Sequence, residues 1–337
     1  MKNAFKGVSE YDRFGPWVDE VNEEEDVPRL YRSYPIDFSV ERLVLKVPRS
    51  IERRNATAKM DLYNHLILLG QGRLTVLSRR VGKTSRAADS EAVGPVSVTA
   101  SPDSGPGYDV VTIKCSDVVA IRNSLNLLDG RLTVSTAQGT PVKVAYNGTG
   151  SDVIDSFVGA LRAAACVKPA SPVGAALLAA GGPRARPVLV PKDGPIDTFL
   201  ATSFLEAHGA NPRLSAWAAH GRRRVAPEAA GMEGVAQRAK HALSPMTLHG
   251  ALFAADEVAM EAFGRQSWLM RGRAATYSKS RLVIPFSAPD RLDLTPHPLY
   301  PDVTVATIGA GKSRAEMPLP RGSVAEQLLS EAADKVR

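Results

Sequence analysis

The stretch that most resembles a chemical site runs from Gly309 to Ser313, where Gly-Lys-Ser follows an apolar, strand-like run. A phosphate-binding loop has the pattern Gly-x-x-x-x-Gly-Lys-Ser/Thr, and its first glycine would fall at Ala306. Such a loop also needs a helix directly after the serine, so that helix N–H groups meet the phosphate. Two prolines follow instead and exclude such a helix. The internal repeat described below sets this stretch over the turn from Gln138 to Val142, so we predict a hairpin turn here. The run from Gly82 to Thr84 fails likewise, because Leu77 stands at its first glycine position.

Metal and nucleophilic chemistry have little support in the spacing of the reactive residues. The six histidines show neither H-x-x-x-H nor H-E-x-x-H spacing, and there is no G-x-S-x-G elbow. The two cysteines, Cys115 and Cys166, are far apart in the sequence, and we interpret them as small buried hydrophobic residues in a reducing compartment. We therefore predict no catalytic residue, no metal site and no cofactor.

Three basic clusters are better candidates for a binding site. They are Arg49 to Arg54, Arg79 to Arg86, and Arg222 to Arg224. Guanidinium groups bind phosphates through charge and bidentate geometry, whereas the alternative for each cluster is a solvated face or loop. Aromatic residues make up only 6% of the chain and none is interleaved with these clusters, so nucleic acid is the least favoured anionic partner.

The composition is that of a soluble globular protein with room for two domains. The chain has 337 residues, of which 44% are hydrophobic and 23% charged, and a formal net charge of +7. This charge suits an anionic partner, although an arginine-rich GC-rich genome explains it equally well. The start of the chain has no apolar signal segment, and the longest small-apolar run, from Val173 to Gly182, is too short to span a bilayer. We therefore expect a cytoplasmic protein whose membrane contact, if any, is peripheral.

The elements that position these residues are mostly strands, and part of the pattern occurs twice. From Ile113 to Ala165 the side chains predict strand, hairpin, strand and amphipathic helix, with the Asp129-Gly130 dipeptide as the first hairpin signal. A constant offset of 171 residues carries this pattern onto a second copy that begins at Ile284. The second copy ends in a helix with a capping box formed by Ser323 and Glu326. A further match upstream, at an offset of 186, implies a loop about 15 residues longer in the first copy, between Arg80 and Ile113.

This pattern predicts a mainly β (α+β) protein in four parts. Residues 1–40 form an aromatic and acidic arm that we expect to dock on a sheet edge. Residues 41–166 and 246–337 form the two copies. Residues 167–245 form an Ala-, Pro- and Gly-rich linker, without regular structure from 167 to 186 and with helices from Phe199 to His208 and from Val235 to Leu243. A short strand is predicted from Val96 to Thr99.

One stretch resembles bacterial members of the pleckstrin-homology-like superfamily. It runs from Cys115 to Ile121, through Leu127 to Leu132, and on to Tyr146, Asn147 and the helix. The resemblance covers roughly residues 41–166 and, more weakly, 246–336. It implies two antiparallel barrels, each closed by a C-terminal helix, and binding of anionic lipid head groups or peptides rather than catalysis.

In lipid-binding members of that superfamily the basic residues lie on an early strand pair and its loop. The residues in a comparable place here, and our predicted ligand-binding residues, are Arg79, Arg80, Lys83 and Arg86. The second copy has only Arg265 and Gln266 at the aligned positions, which argues against lipid binding there.

The predicted function is that of a non-catalytic intracellular binding or scaffold module. It would contact a partner protein or an anionic phospholipid surface through the basic loop of the first barrel. The alternatives are an enzyme whose site is assembled between the two barrels and, with less support, a nucleic-acid binder.

Overall fold

The computed structural model describes residues 9–80, 105–186, 197–228, 245–271 and 277–337. The strand predicted from Val96 to Thr99 and the helix predicted from Val235 to Leu243 lie outside these ranges. The chain divides into two compact units. Unit 1 comprises Met1–Asp117, Leu128–Val134 and Thr140–Ala165, and unit 2 comprises Val118–Leu127, Ser135–Gly139 and Cys166–Arg337.

Unit 1 contains an antiparallel five-stranded sheet in chain order. Its strands are β1 (Asp19–Glu20), β2 (Glu41–Pro48), β3 (Tyr63–Gly70), β4 (Arg73–Arg79) and β5 (Tyr108–Lys114). The long apolar runs of β3 and β4 are buried on both faces, which explains why they do not alternate with polar residues.

The N-terminal arm covers one face of this sheet. It holds the short helix α1 (Glu10–Arg13), and its residues Phe14, Val27 and Tyr31 share a core cluster with Leu66 and Tyr108 of the sheet. The arm also supplies β1, which pairs with the edge of β2. The described part of the arm, residues 9–40, therefore docks on this sheet.

Most of strand β7 (Asp129–Thr136), strand β8 (Val142–Asn147) and helix α2 (Ser151–Ala165) belong to the rest of unit 1. The two strands pair antiparallel, and α2 follows them. The turn before β7 is formed by Leu127 and Leu128, not by the predicted Asp129-Gly130 dipeptide. Gly130 is instead the second residue of β7, where a Cβ atom would lie 2.4 Å from the ring of Tyr146.

Unit 2 is built on a larger antiparallel sheet and a smaller one. The strands that unit 2 contributes to the larger sheet have the order β6, β15, β13, β12, β9, which are Val118–Asn126, Ser278–Pro285, Ala259–Gly264, Ala251–Ala255 and Ser215–His220. The smaller sheet contains β16 (Arg291–Pro296), β17 (Val303–Ala310) and β18 (Ser313–Pro320). The turn between β17 and β18 contains Gly311 at a φ of 59°, so the predicted hairpin is confirmed.

The core of unit 2 lies among these two sheets and two helices. Side chains from both sheets, among them Phe253 and Ile308, pack with Leu177 of helix α3 (Pro172–Gly181) and Leu329 of helix α5 (Val324–Asp334). Ser323 caps α5 by accepting a hydrogen bond from the amide of Glu326 at 3.2 Å, which confirms the predicted helix start. The helix α4 (Thr198–Ala210) covers the opposite face of the larger sheet and agrees with the helix predicted there.

The segment 167–186 differs from its prediction. The sequence predicts no regular structure, whereas α3 begins at Pro172 and is capped by the Ser171 hydroxyl, which accepts from the Gly174 amide. Gly174 of this helix allows close packing and is not a source of backbone flexibility, because a Cβ atom there would lie 2.0 Å from the Phe286 carbonyl oxygen. The strand β9 and the short strand β10 (Arg223–Val225) also fall within the predicted linker, and both belong to sheets of unit 2.

The fold is mainly β with a few helices, as predicted. One order of elements, four strands followed by a helix, occurs twice along the chain, as β5 to β8 with α2 and as β15 to β18 with α5. The sheets formed by the described residues are open, and none closes on itself.

Candidate functional site

The predicted ligand-binding arginines of unit 1 are engaged within the unit. The Nε of Arg79 donates to the side-chain oxygen of Asn64 at 3.3 Å. Arg80 forms an ion pair with Asp109, with 2.7 Å between Nε and Oδ1, and its amide donates to the Gly107 carbonyl. Lys83 and Arg86 lie outside the described residues.

The connection that holds these residues is also electrically neutral. Between residues 80 and 107 the sequence has three basic residues, Arg80, Lys83 and Arg86, and three acidic residues, Asp89, Glu91 and Asp103. A loop without net charge has little long-range attraction for an anionic surface.

The cluster Arg49 to Arg54 holds the N-terminal arm in place. The Arg53 guanidinium donates to the carbonyl oxygens of Phe14 and Asp12, and it lies 5.3 Å from the ring centroid of Tyr11. Arg54 pairs with Glu52. These contacts support a structural role for this cluster.

The third cluster lies at one end of the larger sheet of unit 2. Strand β9 ends at His220 opposite the start of β12, and β13 ends at Gly264, close to the start of β15. The connections 221–250 and 265–277 therefore leave the sheet at the same end. We call the described residues of these two connections the basic rim.

The two connections are tied together by a small antiparallel sheet. It consists of β10, β11 (Met246–Leu248) and β14 (Leu269–Arg271). One face of this sheet is anchored, because Val225 and Leu248 share a core cluster with Tyr300 and Val303. The pairing gives an otherwise polar loop a fixed backbone.

The arginines of β10 and its approach are exposed on this support. Arg222, Arg223 and Arg224 are all exposed, and their side chains form no hydrogen bond or ion pair with any residue in the described ranges. They differ in this respect from Arg53 and Arg80 of unit 1, which are engaged within that unit.

The charge of the whole chain is concentrated in the same two connections. Residues 221–250 contain five Arg or Lys and two Glu, and residues 265–277 contain three Arg and no acid. Together they carry a net +6, against +7 for all 337 residues. The rest of the chain is thus nearly neutral, and the basic excess has a definite location in the sequence.

Two buried histidines lie at the base of the basic rim. Burial lowers the pKa of His220 to about 4, and it lowers the pKa of His249 as well, with Arg265 and Arg222 adding to the effect. Both imidazoles are therefore neutral at pH 7. Their Nε2 atoms and the indole nitrogen of Trp268 have no hydrogen-bond partner among the described residues. The His249 amide donates to the Trp268 carbonyl at 2.7 Å, which fixes the backbone of the connection.

Arg265 has a positioning role in the basic rim. It pairs with Asp197, lies 5.3 Å from the ring centroid of Phe199, and donates to the Ser278 carbonyl at 3.1 Å. Asp197 also caps α4, since its carboxylate accepts from the Phe199 amide. Arg265 therefore joins the second connection to α4 and to the start of β15.

The described ranges lack the arrangements that a metal site or a membrane-spanning helix requires. No group of three or more His, Cys, Asp or Glu side chains there is arranged to hold a metal ion. None of the helices that the structure describes has the length and apolar character needed to cross a membrane. Glu261 and Arg281, the most buried ion pair among the described residues, form a bidentate contact at 2.6 and 3.1 Å.

No protein-family model, curated protein or solved structure matches this chain.

The sequence identified Arg222 to Arg224 as basic but assigned them to a linker. The strand before them, Ser215 to His220, gave little signal in the sequence, because it is rich in alanine and does not alternate clearly between apolar and polar residues. His249 and Trp268 carried no spacing signal, since their proximity depends on the pairing of β11 with β14.

Proposed function

We propose that this protein is a non-catalytic intracellular binding module that docks peripherally on anionic membrane surfaces. We further propose that it consists of two pleckstrin-homology-like halves. The repeated order of four strands and a helix, β5 to β8 with α2 and β15 to β18 with α5, supports this relationship. An offset of 171 residues carries the bounds of β5 to β8 and α2 onto β15 to β18 and α5 within three residues.

The observation that carries the proposed function is the exposed arginine run on a rigid support. Arg222, Arg223 and Arg224 have no internal partner in the described ranges, and β10 is anchored through Val225 to a buried cluster. Each Lys or Arg close to an anionic bilayer contributes about 1 kcal/mol to binding. These arginines break no ion pair with a described residue on docking, so no such loss offsets the energy that each of them gains.

The alternative contact through Arg79, Arg80, Lys83 and Arg86 stays a prediction with less support. Arg80 would have to leave Asp109, and the connection it begins has no net charge. An anionic protein partner is recognised by the same charge and is an outcome of the test below.

The test is cosedimentation with vesicles of phosphatidylcholine, with and without phosphatidylserine, at low and at high salt. The triple variant R222A/R223A/R224A is compared with R73A/K143A/K335A, which removes the same charge from exposed positions outside the basic rim. At about 1 kcal/mol per arginine, the first variant should lose roughly a hundredfold in partitioning to anionic vesicles.

The control variant should bind nearly as the parent protein does, and added salt should weaken all binding because it screens exposed charges. If the two variants lost equal amounts of vesicle binding, the effect would depend on net charge alone, and the proposed site would be refuted. Absence of binding to anionic vesicles, together with a stable complex with an acidic protein, would replace the membrane by a protein partner.

A further inference from the structure

Two large apolar side chains are exposed at the end of unit 2 that carries the basic rim. Leu127 is 57% exposed and Tyr277 is 63% exposed. They directly follow and precede the last pair in the register of β6 with β15, Ser278 with Asn126. The Leu127 amide donates to the Tyr277 carbonyl at 3.1 Å, so the two residues extend the sheet together by one position.

Leu127 is unusual in its backbone conformation as well as in its exposure. Its φ is 56°, in the left-handed region that favours glycine and asparagine. A leucine here carries a steric cost in its backbone and a solvation cost in its side chain. Glycine or asparagine would avoid both the steric cost and the solvation cost. An exposed leucine at this position therefore indicates a functional role for an apolar side chain.

We propose that Leu127 and Tyr277 form a tip that inserts into the interfacial region of an anionic bilayer. This inference rests on the proposed function and adds the mode of docking. Tyrosine suits that region, because its ring is apolar while its hydroxyl reaches water and head groups. The tip lies at the same end of the sheet as the exposed Arg222, Arg223 and Arg224, so that end offers both charge and apolar contact.

The charge of that surface selects the bilayer over a second copy of this chain. A symmetric dimer formed through the tip would place each basic rim against its own copy, and like charges in proximity oppose association. An anionic membrane is complementary to the same charge, and its interfacial region accepts a leucine and a tyrosine without a preformed pocket.

The first experiment reports insertion directly. Tyr277→Trp places an indole at the tip, and its fluorescence is recorded with anionic vesicles that contain lipids brominated on the acyl chains. Emission should shift to shorter wavelength and be quenched on binding, relative to the parent protein with its three tryptophans. Vesicle binding without any added quenching would overturn the inference and leave the charge-based function standing.

The second experiment measures the contribution of the tip. The variant L127N/Y277S is compared with L205Q/V167S, which removes exposed apolar side chains elsewhere. Asparagine tolerates the left-handed backbone, so the first variant should fold normally. Its partitioning to anionic vesicles should fall roughly tenfold to a hundredfold, and this loss should persist at high salt, since apolar burial is not screened.

The control should bind like the parent protein. Unchanged binding of L127N/Y277S would overturn the inference even if R222A/R223A/R224A fails to bind. A parent protein that ignores anionic vesicles would overturn the proposed function and the tip together.

Discussion

The ion pair between Glu261 and Arg281 offers a sharp test of the packing of unit 2. Glu261 lies in β13 and is completely inaccessible to solvent, while the Arg281 side chain of β15 is 18% exposed. The two contacts at 2.6 and 3.1 Å are bidentate, and the guanidinium carbon lies 5.9 Å from the ring centroid of Phe263. Both charges have therefore lost most of their water and depend on each other.

The perturbation is Glu261→Leu, which fills the same space but leaves the arginine without its carboxylate. Removing one partner of a buried pair typically costs about 3–5 kcal/mol, because the remaining charge is uncompensated. In the double variant E261L/R281L no such charge is left, and the cost should fall below about 1 kcal/mol or become a gain.

The assay is urea unfolding followed by tryptophan fluorescence. Trp217 and Trp268 are buried in the core of unit 2, whereas Trp17 is largely exposed in unit 1, so the signal reports unit 2. With a slope of about 2 kcal/mol per molar urea, the single variant should move the midpoint down by roughly 1.5–2.5 M. A shift below about 0.5 M, or a double variant as unstable as the single, would refute the reasoning.

Two other predictions follow from burial and close contact. Burial lowers the pKa of His65 to about 4, with Arg79 adding to this, whereas an unfolded histidine titrates near 6.5. Between these two pH values only the unfolded state binds the proton, so the free energy of unfolding should fall by about 3 kcal/mol as the pH drops from 6.5 to 4. His65→Gln should abolish this fall, which is measured by urea titrations at several pH values. An unchanged dependence of the unfolding free energy on pH in the variant would contradict the prediction. In Gly159→Ala the new methyl group in α2 meets no atom within 4 Å, so this variant should raise helix stability by about 1 kcal/mol. In Gly174→Ala the new methyl group in α3 would clash with the Phe286 carbonyl, so this variant should lower the melting temperature. Equal effects of the two substitutions on the melting temperature would refute the docking of α3.

Local side-chain chemistry made part of the fold predictable. Ser323 stands directly before a helical apolar stripe with Glu326 three residues later, so the start of α5 follows from local hydrogen bonding alone. The hairpin at Gly311 follows from the internal repeat, which sets Gly309 to Ser313 over the turn from Gln138 to Val142.

Other elements depend on contacts that no local pattern contains. The ten residues of α3 are dominated by alanine and glycine, a composition typical of linkers, but Gly174 and Gly181 fit against Phe286 and Trp217. Gly130 resembles a turn residue because the constraint on it, the ring of Tyr146, comes from the neighbouring strand. In both cases tertiary packing uses the missing Cβ atom.

The sequence predicted that the candidate site is basic, but it did not predict which basic run forms it. The runs around Arg79 and Arg222 have similar composition, and the sequence favoured the first. Their difference is the ion pair of Arg80 with Asp109 and the absence of any such partner for Arg222 in the described ranges. Which cations keep a free guanidinium is decided by the fold.

The pairing of β6 with β15 has a consequence for how this chain emerges from the ribosome. About 150 residues separate the end of β6 at Asn126 from the start of β15 at Ser278. At a synthesis rate of about 5–20 residues per second, β6 is completed roughly 8–30 s before its partner. Throughout that interval the side of β6 that β15 later occupies is a template for mispairing with other nascent chains. Translation speed and early chaperone contact are therefore levers on the yield of unit 2, independent of how stable it is once folded.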